Sequence, residues 1–234
     1  MANLATDRWT RRDLLGLEDL TADEILAVLD TADEFFPFAT GREPAPQTLQ
    51  GRTVLNLILE DSTRTRTSFT LAAERLGGRV IQFHAGSSSM GQKGETLLDT
   101  ARNIEAMGLD AIVIRHKERG APHRVAEAVA CPVVSAGDDA HEHPTQALLD
   151  LLALRHHVGR LDGLTVAICG DVRHSRVARS NLYGLRTLGS RAVFVGPDLF
   201  LQGLEDIEGD VETATDFDAV LGECDAVMML RVQF

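Results

Sequence analysis

Hydroxyl and guanidinium side chains are concentrated in residues 62–66, which read Ser-Thr-Arg-Thr-Arg. The apolar run over residues 53–59 predicts a buried strand before this stretch, and the apolar spacing over residues 69–76 predicts a helix after it. The polar groups therefore lie where a strand turns into a helix, and the free N–H groups at a helix start attract anions. Ser62 or Thr63 alone would be sufficient to cap the helix. The two additional arginines favour a phosphate-binding site.

Two further candidates, Arg115 and His143, follow other predicted strands. Arg115 ends the apolar run 110–115, and His143 comes after the run 132–136 and before a proline that suits the first position of a helix. Ligands of parallel sheets gather at the carboxyl ends of the strands, so both side chains are expected near residues 62–66. Taken singly, Arg115 could pair with an acid at the sheet edge, and His143 could be an ordinary residue of a helix start.

Length and composition bound the class of protein. A chain of 234 residues that is 44% hydrophobic is sufficient for one large or two modest domains. Its net charge of −12 argues against nucleic acid or an anionic membrane as a partner. No apolar run approaches a membrane span, and residues 1–10 lack the apolar core of a secretory signal. The three cysteines are odd in number and widely spaced, which indicates buried thiols of a cytoplasmic protein without a disulfide or zinc pattern.

Predicted strands and helices alternate along the chain, which is typical of an α/β protein with parallel sheets and helices on both faces. A capping-box spacing at Thr21–Glu24 opens the first helix, and Pro37 is expected to begin a loop. We expect two doubly wound parallel-sheet domains with ligands in the cleft between them. The expected division is a first domain over residues 1–142, a bridging helix over residues 143–157, and a second domain over residues 158–234.

Five stretches, in order over nearly the whole chain, resemble motifs of the transcarbamoylase family, and together they are similar to the catalytic chains of aspartate carbamoyltransferases. They are Ser-Thr-Arg-Thr-Arg at residues 62–66, Ser-Ser-Met-Gly-Gln-Lys-Gly-Glu-Thr at 88–96, His-Pro-Thr-Gln at 143–146, Gly-Asp-Val-Arg-His-Ser-Arg at 170–176 and Met-Met-Leu-Arg-Val-Gln at 228–233. The resemblance implies transfer of the carbamoyl group of carbamoyl phosphate to the amine of L-aspartate, which gives N-carbamoyl-L-aspartate and phosphate in pyrimidine biosynthesis, without a cofactor. The ornithine enzymes are the poorer match, because they lack the paired carboxylate-binding motifs and have a different glycine loop.

The resemblance assigns carbamoyl phosphate to a set of residues at predicted strand ends. They are Ser62, Thr63, Arg64, Thr65, Arg115, His143 and Gln146, of which Arg64, Thr65, Arg115 and His143 form the expected catalytic set. Arg64 and the neighbouring hydroxyls would hold the phosphate through charge-assisted hydrogen bonds of about 1.5–3 kcal/mol each. Thr65, Arg115 and His143 would stabilise the carbonyl oxygen as it becomes an oxyanion, where one donor contributes about 2.7–4 kcal/mol. Gln146 would read the carbamoyl amide.

The aspartate substrate requires two separate guanidiniums, since each binds one carboxylate in bidentate fashion. Arg176 and Arg231 follow two different predicted strands of the second domain and are the candidates, with Gln233 as a further one. Without the resemblance, both arginines would be interpreted as surface cations. The resemblance also implies a homotrimer in which Ser89 and Lys93 reach into the site of the neighbouring subunit, where Lys93 binds aspartate.

Other ligands are not expected from the sequence. The loop that carries Lys93 nearly imitates a nucleotide-binding loop, but its lysine comes one residue late, so ATP binding is not predicted. Residues 170–171, Gly-Asp, lack the glycine pattern of a dinucleotide site. Residues 141–143, His-Glu-His, have no third ligand at usable spacing, so no metal is predicted.

The chain ends at Phe234, just after a predicted strand, whereas the resembled family continues with another active-site loop and a final helix. We therefore expect a C-terminally truncated chain with an incomplete second domain. The alternative to an active enzyme is a non-catalytic chain that binds carbamoyl phosphate or only assembles. Regulatory or other chains of the pyrimidine pathway remain open as partners.

Overall fold

The structure is a computed structural model that describes residues 8–84 and 94–232. The chain divides into two compact units. The first comprises Met1–Leu15 and Asp30–Asp139, and the second comprises Gly16–Leu29 and Ala140–Phe234. Residues 16–29 and 140–157 thus belong to the second unit, together with the segment 158–234 that was expected to form a domain. Within the residues described, no helix combines the length and apolar character needed to cross a bilayer.

The first unit is built on a parallel sheet whose strand order is β2-β1-β3-β4. Its strands are β1 (Thr53–Ile58), β2 (Arg79–Gln82), β3 (Ala111–His116) and β4 (Val133–Asp138). The helices that follow them are α2 (Thr63–Arg75), α3 (Leu97–Glu105) and α4 (Ala121–Ala128). Strands β1 and β3 lie in the centre and are mostly buried, which explains why both read as nearly continuous apolar runs.

The two faces of this sheet carry separate hydrophobic clusters. Leu55 and Ile112 point to the face that contains Val125 of α4, whereas Val54 and Val113 point to the face that contains Phe69 of α2. Successive residues of a strand face opposite sides, so one buried strand serves both clusters. Helices therefore cover both faces of the sheet, and the predicted α/β class with parallel sheets is confirmed.

The second unit repeats the scheme with a parallel sheet of order β7-β6-β5-β8. Its strands are β5 (Thr165–Cys169), β6 (Arg191–Val195), β7 (Glu212–Ala214) and β8 (Ala226–Met229). Its helices are α5 (Pro144–Val158), α6 (Arg176–Thr187) and α7 (Phe217–Leu221), with a 3-10 turn at Asp198–Phe200. Strands β5 and β6 are almost fully buried, while alternate residues of β8 are exposed.

Helix α1 (Ala22–Ala39) begins in the second unit and ends in the first. The predicted capping box is confirmed, because the Thr21 N–H donates to Glu24 Oε2 at 2.9 Å and the Glu24 N–H donates to Thr21 Oγ1 at 3.2 Å. The predicted loop at Pro37 is wrong, since the helix continues through this proline. A proline this close to a helix end removes a single backbone hydrogen bond, which the remaining turns tolerate.

Candidate active site

The turn between β1 and α2 has an open helix start. Ser62 occupies the N-cap position with extended backbone (φ −150°, ψ 93°), but its hydroxyl does not cap the helix. It donates instead to Thr65 Oγ1 at 2.8 Å. Within the described ranges, the backbone N–H groups of residues 63–65 have no acceptor. They remain available to an anion, which the positive end of the helix dipole also favours.

Arg115, at the end of β3, is drawn into this turn. Its Nε donates to Glu60 Oε2 at 2.8 Å, and its Nη1 donates to Thr65 Oγ1 at 3.2 Å. The side chains of the Arg115–Glu60 ion pair are only 15% and 18% exposed, so the guanidinium is held in place by a largely buried carboxylate. Since Thr65 Oγ1 accepts from both Ser62 and Arg115, its own hydrogen is left to donate elsewhere.

Of the other residues of the turn, two have exposed side chains and one, Arg66, points inward. Thr63 and Arg64 are exposed. No residue of the described part of the chain pairs with the Arg64 guanidinium. Arg66 folds back, with Nη2 donating to Ile58 O at 3.4 Å and a buried Nε that has no partner among the described residues. Of the two arginines, Arg64 is the one that an incoming phosphate can reach.

In the second unit, His143 is fixed through its backbone. It is the N-cap of α5, and its N–H donates to Ser180 Oγ at 2.8 Å. The Ser180 hydroxyl in turn donates to Glu142 Oε2 at 2.7 Å. Glu142, 1% exposed, also accepts the N–H groups of Leu17 at 2.8 Å and Glu18 at 3.2 Å. Burial raises the pKa of Glu142, although these donors act in the opposite direction.

Gln146 lies one turn into α5 and is oriented by a carboxylate. Its Nε2 donates to Asp150 Oδ1 at 2.9 Å, and Asn181 Nδ2 donates to Asp150 Oδ2 at 2.9 Å. Burial raises the pKa of Asp150, and the two amide donors oppose that shift. The sequence analysis missed Asp150, although its i,i+4 spacing from Gln146 is a known pairing signal on a helix.

Arg176 and Arg231 follow neighbouring strands of the second unit. Arg176 is the first residue of α6, whose cap Ser175 accepts the Ala178 N–H at 3.1 Å, and Arg231 is exposed just after β8. Strands β5 and β8 pair in parallel, so both arginines follow strand ends at the same edge of the sheet. Gly170 permits the segment after β8 to approach the segment after β5, because its φ is +124° and a Cβ there would lie 3.1 Å from the Leu230 carbonyl oxygen.

The structure places Glu18 beside His141 and Glu142, for which the sequence offered no third ligand at usable spacing. Among the described residues, ligand atoms of Glu18, His141 and Glu142 lie within 4.8 Å of one another. Glu18 is far from the other two in sequence, which is why spacing could not reveal it. The Glu142 carboxylate already accepts three hydrogen bonds from the protein, so it is held as an acceptor for protein donors.

The predicted site residues thus form separate groups in the two units. Ser62, Thr65 and Arg115 are joined by hydrogen bonds in the first unit, with Thr63 and Arg64 beside them on the same turn. His143 and Gln146 share the start of α5 in the second unit, and Arg176 and Arg231 follow two adjacent strands there. Three predicted residues, Ser89, Lys93 and Gln233, lie outside the described residues.

The comparisons with known proteins agree with the five motifs. The family described as aspartate/ornithine carbamoyltransferase, carbamoyl-P binding domain, matches residues 12–156. The aspartate carbamoyltransferase catalytic subunit of Gluconobacter oxydans is 51% identical over 222 residues, which are 95% of this chain and 71% of that relative. The corresponding subunit of Parafrankia sp. is 55% identical over 221 residues, 94% of this chain and 71% of the relative.

Solved structures give the same result. Aspartate transcarbamoylase from Trypanosoma cruzi in complex with carbamoyl aspartate and phosphate superimposes with a TM-score of 0.88 at 31% identity, over 100% of this chain and 79% of that one. The catalytic subunit of M. Jannaschii aspartate transcarbamoylase gives a TM-score of 0.79 at 32% identity, over 95% and 74% of the two chains. The chain belongs to the aspartate/ornithine carbamoyltransferase family, among its aspartate carbamoyltransferase catalytic subunits. The resemblance inferred from the motifs is confirmed.

Proposed function

We propose that this chain transfers the carbamoyl group of carbamoyl phosphate to the amine of L-aspartate and releases N-carbamoyl-L-aspartate and phosphate, as a step of pyrimidine biosynthesis in the cytoplasm. The observation that carries the proposal is the turn after β1. There, an open helix start and an exposed Arg64 lie beside a Thr65 hydroxyl that Ser62 and Arg115 hold in place. The relatives' names and the ligands in the solved structures support the same assignment.

Donor binding follows from the charges and donors of the turn. The free N–H groups of residues 63–65 and the Arg64 guanidinium bind the phosphate. Thr65 and Arg115 direct hydrogens at the carbonyl oxygen, together with His143, and stabilise the negative charge that develops on it. Glu60 keeps Arg115 oriented before the donor arrives, so little reorganisation is needed during the reaction.

Acceptor binding uses the second unit. Arg176 and Arg231 each take one carboxylate of aspartate, with Gln233 beside them. The amine then attacks the carbonyl carbon, the bond from that carbon to the phosphate oxygen breaks, and the leaving phosphate accepts the amine proton. Holding both reactants in attack geometry can supply about 7–11 kcal/mol of the barrier. Residues 1–142 are accordingly the carbamoyl-phosphate-binding domain, residues 143–157 form the bridging helix with His143 and Gln146 at its start, and residues 158–234 are the aspartate-binding domain.

Assembly completes this site in the proposal. Ser89 and Lys93 come from the neighbouring chain of a homotrimer, and Lys93 adds a cation that binds aspartate. Both substrates carry negative charge, and the carbonyl oxygen of carbamoyl phosphate becomes negative during the reaction. A further cation therefore strengthens the binding of both substrates. Regulatory or other pyrimidine-pathway chains are compatible with such a trimer.

Calorimetry with carbamoyl phosphate and a colorimetric assay for carbamoyl-aspartate test the proposal. We expect saturable binding of carbamoyl phosphate and aspartate-dependent product from this chain or from a version extended at its carboxyl end. Arg75→Ala, at the far end of α2, is the matched control for Arg64→Ala, since both arginines are exposed on one helix. Binding without turnover in both versions would support the non-catalytic alternative, and absence of binding would refute the function altogether.

A further inference from the structure

Asp150 accepts two amide donors at once. It lies on α5 four residues after Gln146, whose Nε2 donates to Oδ1 at 2.9 Å. Asn181 Nδ2, from α6, donates to Oδ2 at 2.9 Å. Each carboxylate oxygen therefore has its own donor. An ionised carboxylate can only accept, so it determines which end of each amide faces it.

The orientation of Asn181 is fixed independently of Asp150. Its Nδ2 also donates to the backbone carbonyl of Val177 at 3.0 Å, one turn earlier in α6. A carbonyl oxygen cannot donate, so the NH2 group of Asn181 must point toward Val177 and Asp150. Turning the amide round would put its oxygen against two acceptors. The direction of the hydrogen bond from Asn181 to Asp150 is thus fixed by the α6 backbone.

The same direction continues to Gln146. Because its NH2 end is turned to Asp150, its other end presents the carbonyl oxygen Oε1. No donor in the described ranges engages that oxygen. An outward acceptor at this position matches a ligand NH2 group, whereas a methyl group in the same place would leave the oxygen without a partner. Sites that hydrogen-bond a ligand NH group reject analogues that lack it.

We propose that Asp150 is a positioning residue that makes the site selective for a phosphorylated donor with an NH2 group, carbamoyl phosphate, over its isostere acetyl phosphate. The inference rests on the proposed function, because it assigns the outward face of Gln146 to the donor. Asp150 acts only through Gln146 and does not touch the ligand. Selectivity is set by the direction of one partly buried hydrogen bond, from Gln146 Nε2 to Asp150 Oδ1.

The first test is Asp150→Asn. The carbonyl of Val177 fixes the direction of Asn181, so Asn181 Nδ2 donates to the oxygen of the new amide. The NH2 group of the new amide therefore faces Gln146. Gln146 must then turn its Oε1 inward and its Nε2 outward, where it opposes the NH2 group of the donor. Calorimetric titrations of the chain with carbamoyl phosphate and with acetyl phosphate give the preference for the carbamoyl compound. We expect the preference to fall about tenfold.

The double variant Asp150→Asn with Gln146→Glu reverses the direction of the hydrogen bond between residues 146 and 150. The new NH2 group donates to one oxygen of the new carboxylate, and the other oxygen again faces outward as an acceptor. The negative charge moves from position 150 to position 146, nearer to the ligand, and so weakens binding of both phosphates, but the preference for carbamoyl phosphate should return. The matched control is Asp225→Asn, the same change in the same unit. Asp225 accepts from Thr165 N and Arg160 at the start of β5 and makes no contact with Gln146.

The outcomes separate this inference from the proposed function. If the unmodified chain binds neither phosphate, both are overturned. If it prefers carbamoyl phosphate and Asp150→Asn leaves that preference unchanged, the role of Asp150 is overturned and the function stands. Should the single variant not fold, the double variant decides alone, because it restores a matched donor and acceptor. A double variant that folds but shows no preference refutes the inference.

Discussion

Gly16 provides a test of the buried carboxylate that anchors the start of α5. A Cβ at Gly16 would lie 2.1 Å from Glu142 Oε1 and 2.8 Å from its carboxyl carbon. The carboxylate would have to move by about 1 Å to regain van der Waals separation. Its hydrogen bonds from Leu17, Glu18 and Ser180 are 2.7–3.2 Å long, so such a shift stretches or breaks them. The φ of Gly16 is not positive, so alanine brings no backbone strain.

The magnitude follows from the donors that lose their partner. Leaving a buried donor unsatisfied costs about 1–3 kcal/mol, and at least one of the three is lost outright. We expect Gly16→Ala to lower the free energy of unfolding of the second unit by about 2–4 kcal/mol. In a Glu142→Ala background the added methyl meets no carboxylate, and its cost should be within about 0.5 kcal/mol. The smaller unfolded-state entropy of alanine stabilises both backgrounds equally, by about 0.4–1 kcal/mol, and cancels from the coupling energy.

This double-mutant cycle can be measured by urea unfolding of the unmodified chain, Gly16→Ala, Glu142→Ala and the variant that carries both changes. The single tyrosine, Tyr183, lies in the second unit, so its emission reports on that unit, while the single tryptophan, Trp9, lies in the first. A coupling energy of about 2–3 kcal/mol between Gly16 and Glu142 is expected. Equal costs of Gly16→Ala in both backgrounds would refute the reasoning, since the clash with Glu142 would then not be the cause. An unchanged tryptophan transition serves as the internal control.

Three further predictions concern charge and assembly. Arg64→Ala should weaken binding of carbamoyl phosphate, whereas Arg176→Ala should chiefly raise the apparent KM for aspartate in an active, extended version; an unchanged aspartate dependence would contradict the second assignment. The raised pKa of Glu142 means that its contribution to stability is fully present below the ordinary glutamate range and is lost as pH rises through the raised pKa. Glu142→Gln should therefore show a smaller decline than the unmodified chain across that window in urea titrations, and parallel curves would speak against it. Extended Lys93→Ala and His143→Ala chains should be nearly inactive alone and regain part of their activity when dissociated, mixed and reassembled; no gain in the mixture would place Lys93 outside a shared site.

Much of the fold could be predicted because each strand carries its own signal. The runs at β1 and β3 are apolar, and such runs between turn residues predict buried parallel strands. The continuation of α1 through Pro37 could not be predicted, because proline has a low helix propensity and the preceding turns of α1 compensate for it. The groups around residues 62–66 could be anticipated as well, because they are consecutive in sequence. Their internal arrangement, with Ser62 bonded to Thr65 in place of a cap, could not.

The hydrogen bonds that hold the segment of His143 and Gln146 could not be predicted from the sequence, for a different reason. Ser180 and Asn181 contact α5 only because α6 packs against it, and no local pattern encodes that packing. Gly16 likewise acquires its importance from Glu142, a residue distant in sequence. Buried polar contacts between elements are decided by tertiary structure, so a single sequence reveals their members only as unremarkable polar residues.

Helix α6 separates two tasks along its length. Its first residue, Arg176, comes directly after the loop from β5, while Ser180 and Asn181, one turn later, are bonded to the segment of His143 and Gln146. With a rise of about 1.5 Å per residue, the two levels are about 6 Å apart on one rigid rod. Under the proposed function, a substitution at Arg176 would therefore change acceptor binding while Ser180 and Asn181 keep their hydrogen bonds to the segment of His143 and Gln146. In a family that joins aspartate and ornithine enzymes, a change here, together with changes at Arg231 and in the loop of Lys93, would direct one donor chemistry toward different acceptors.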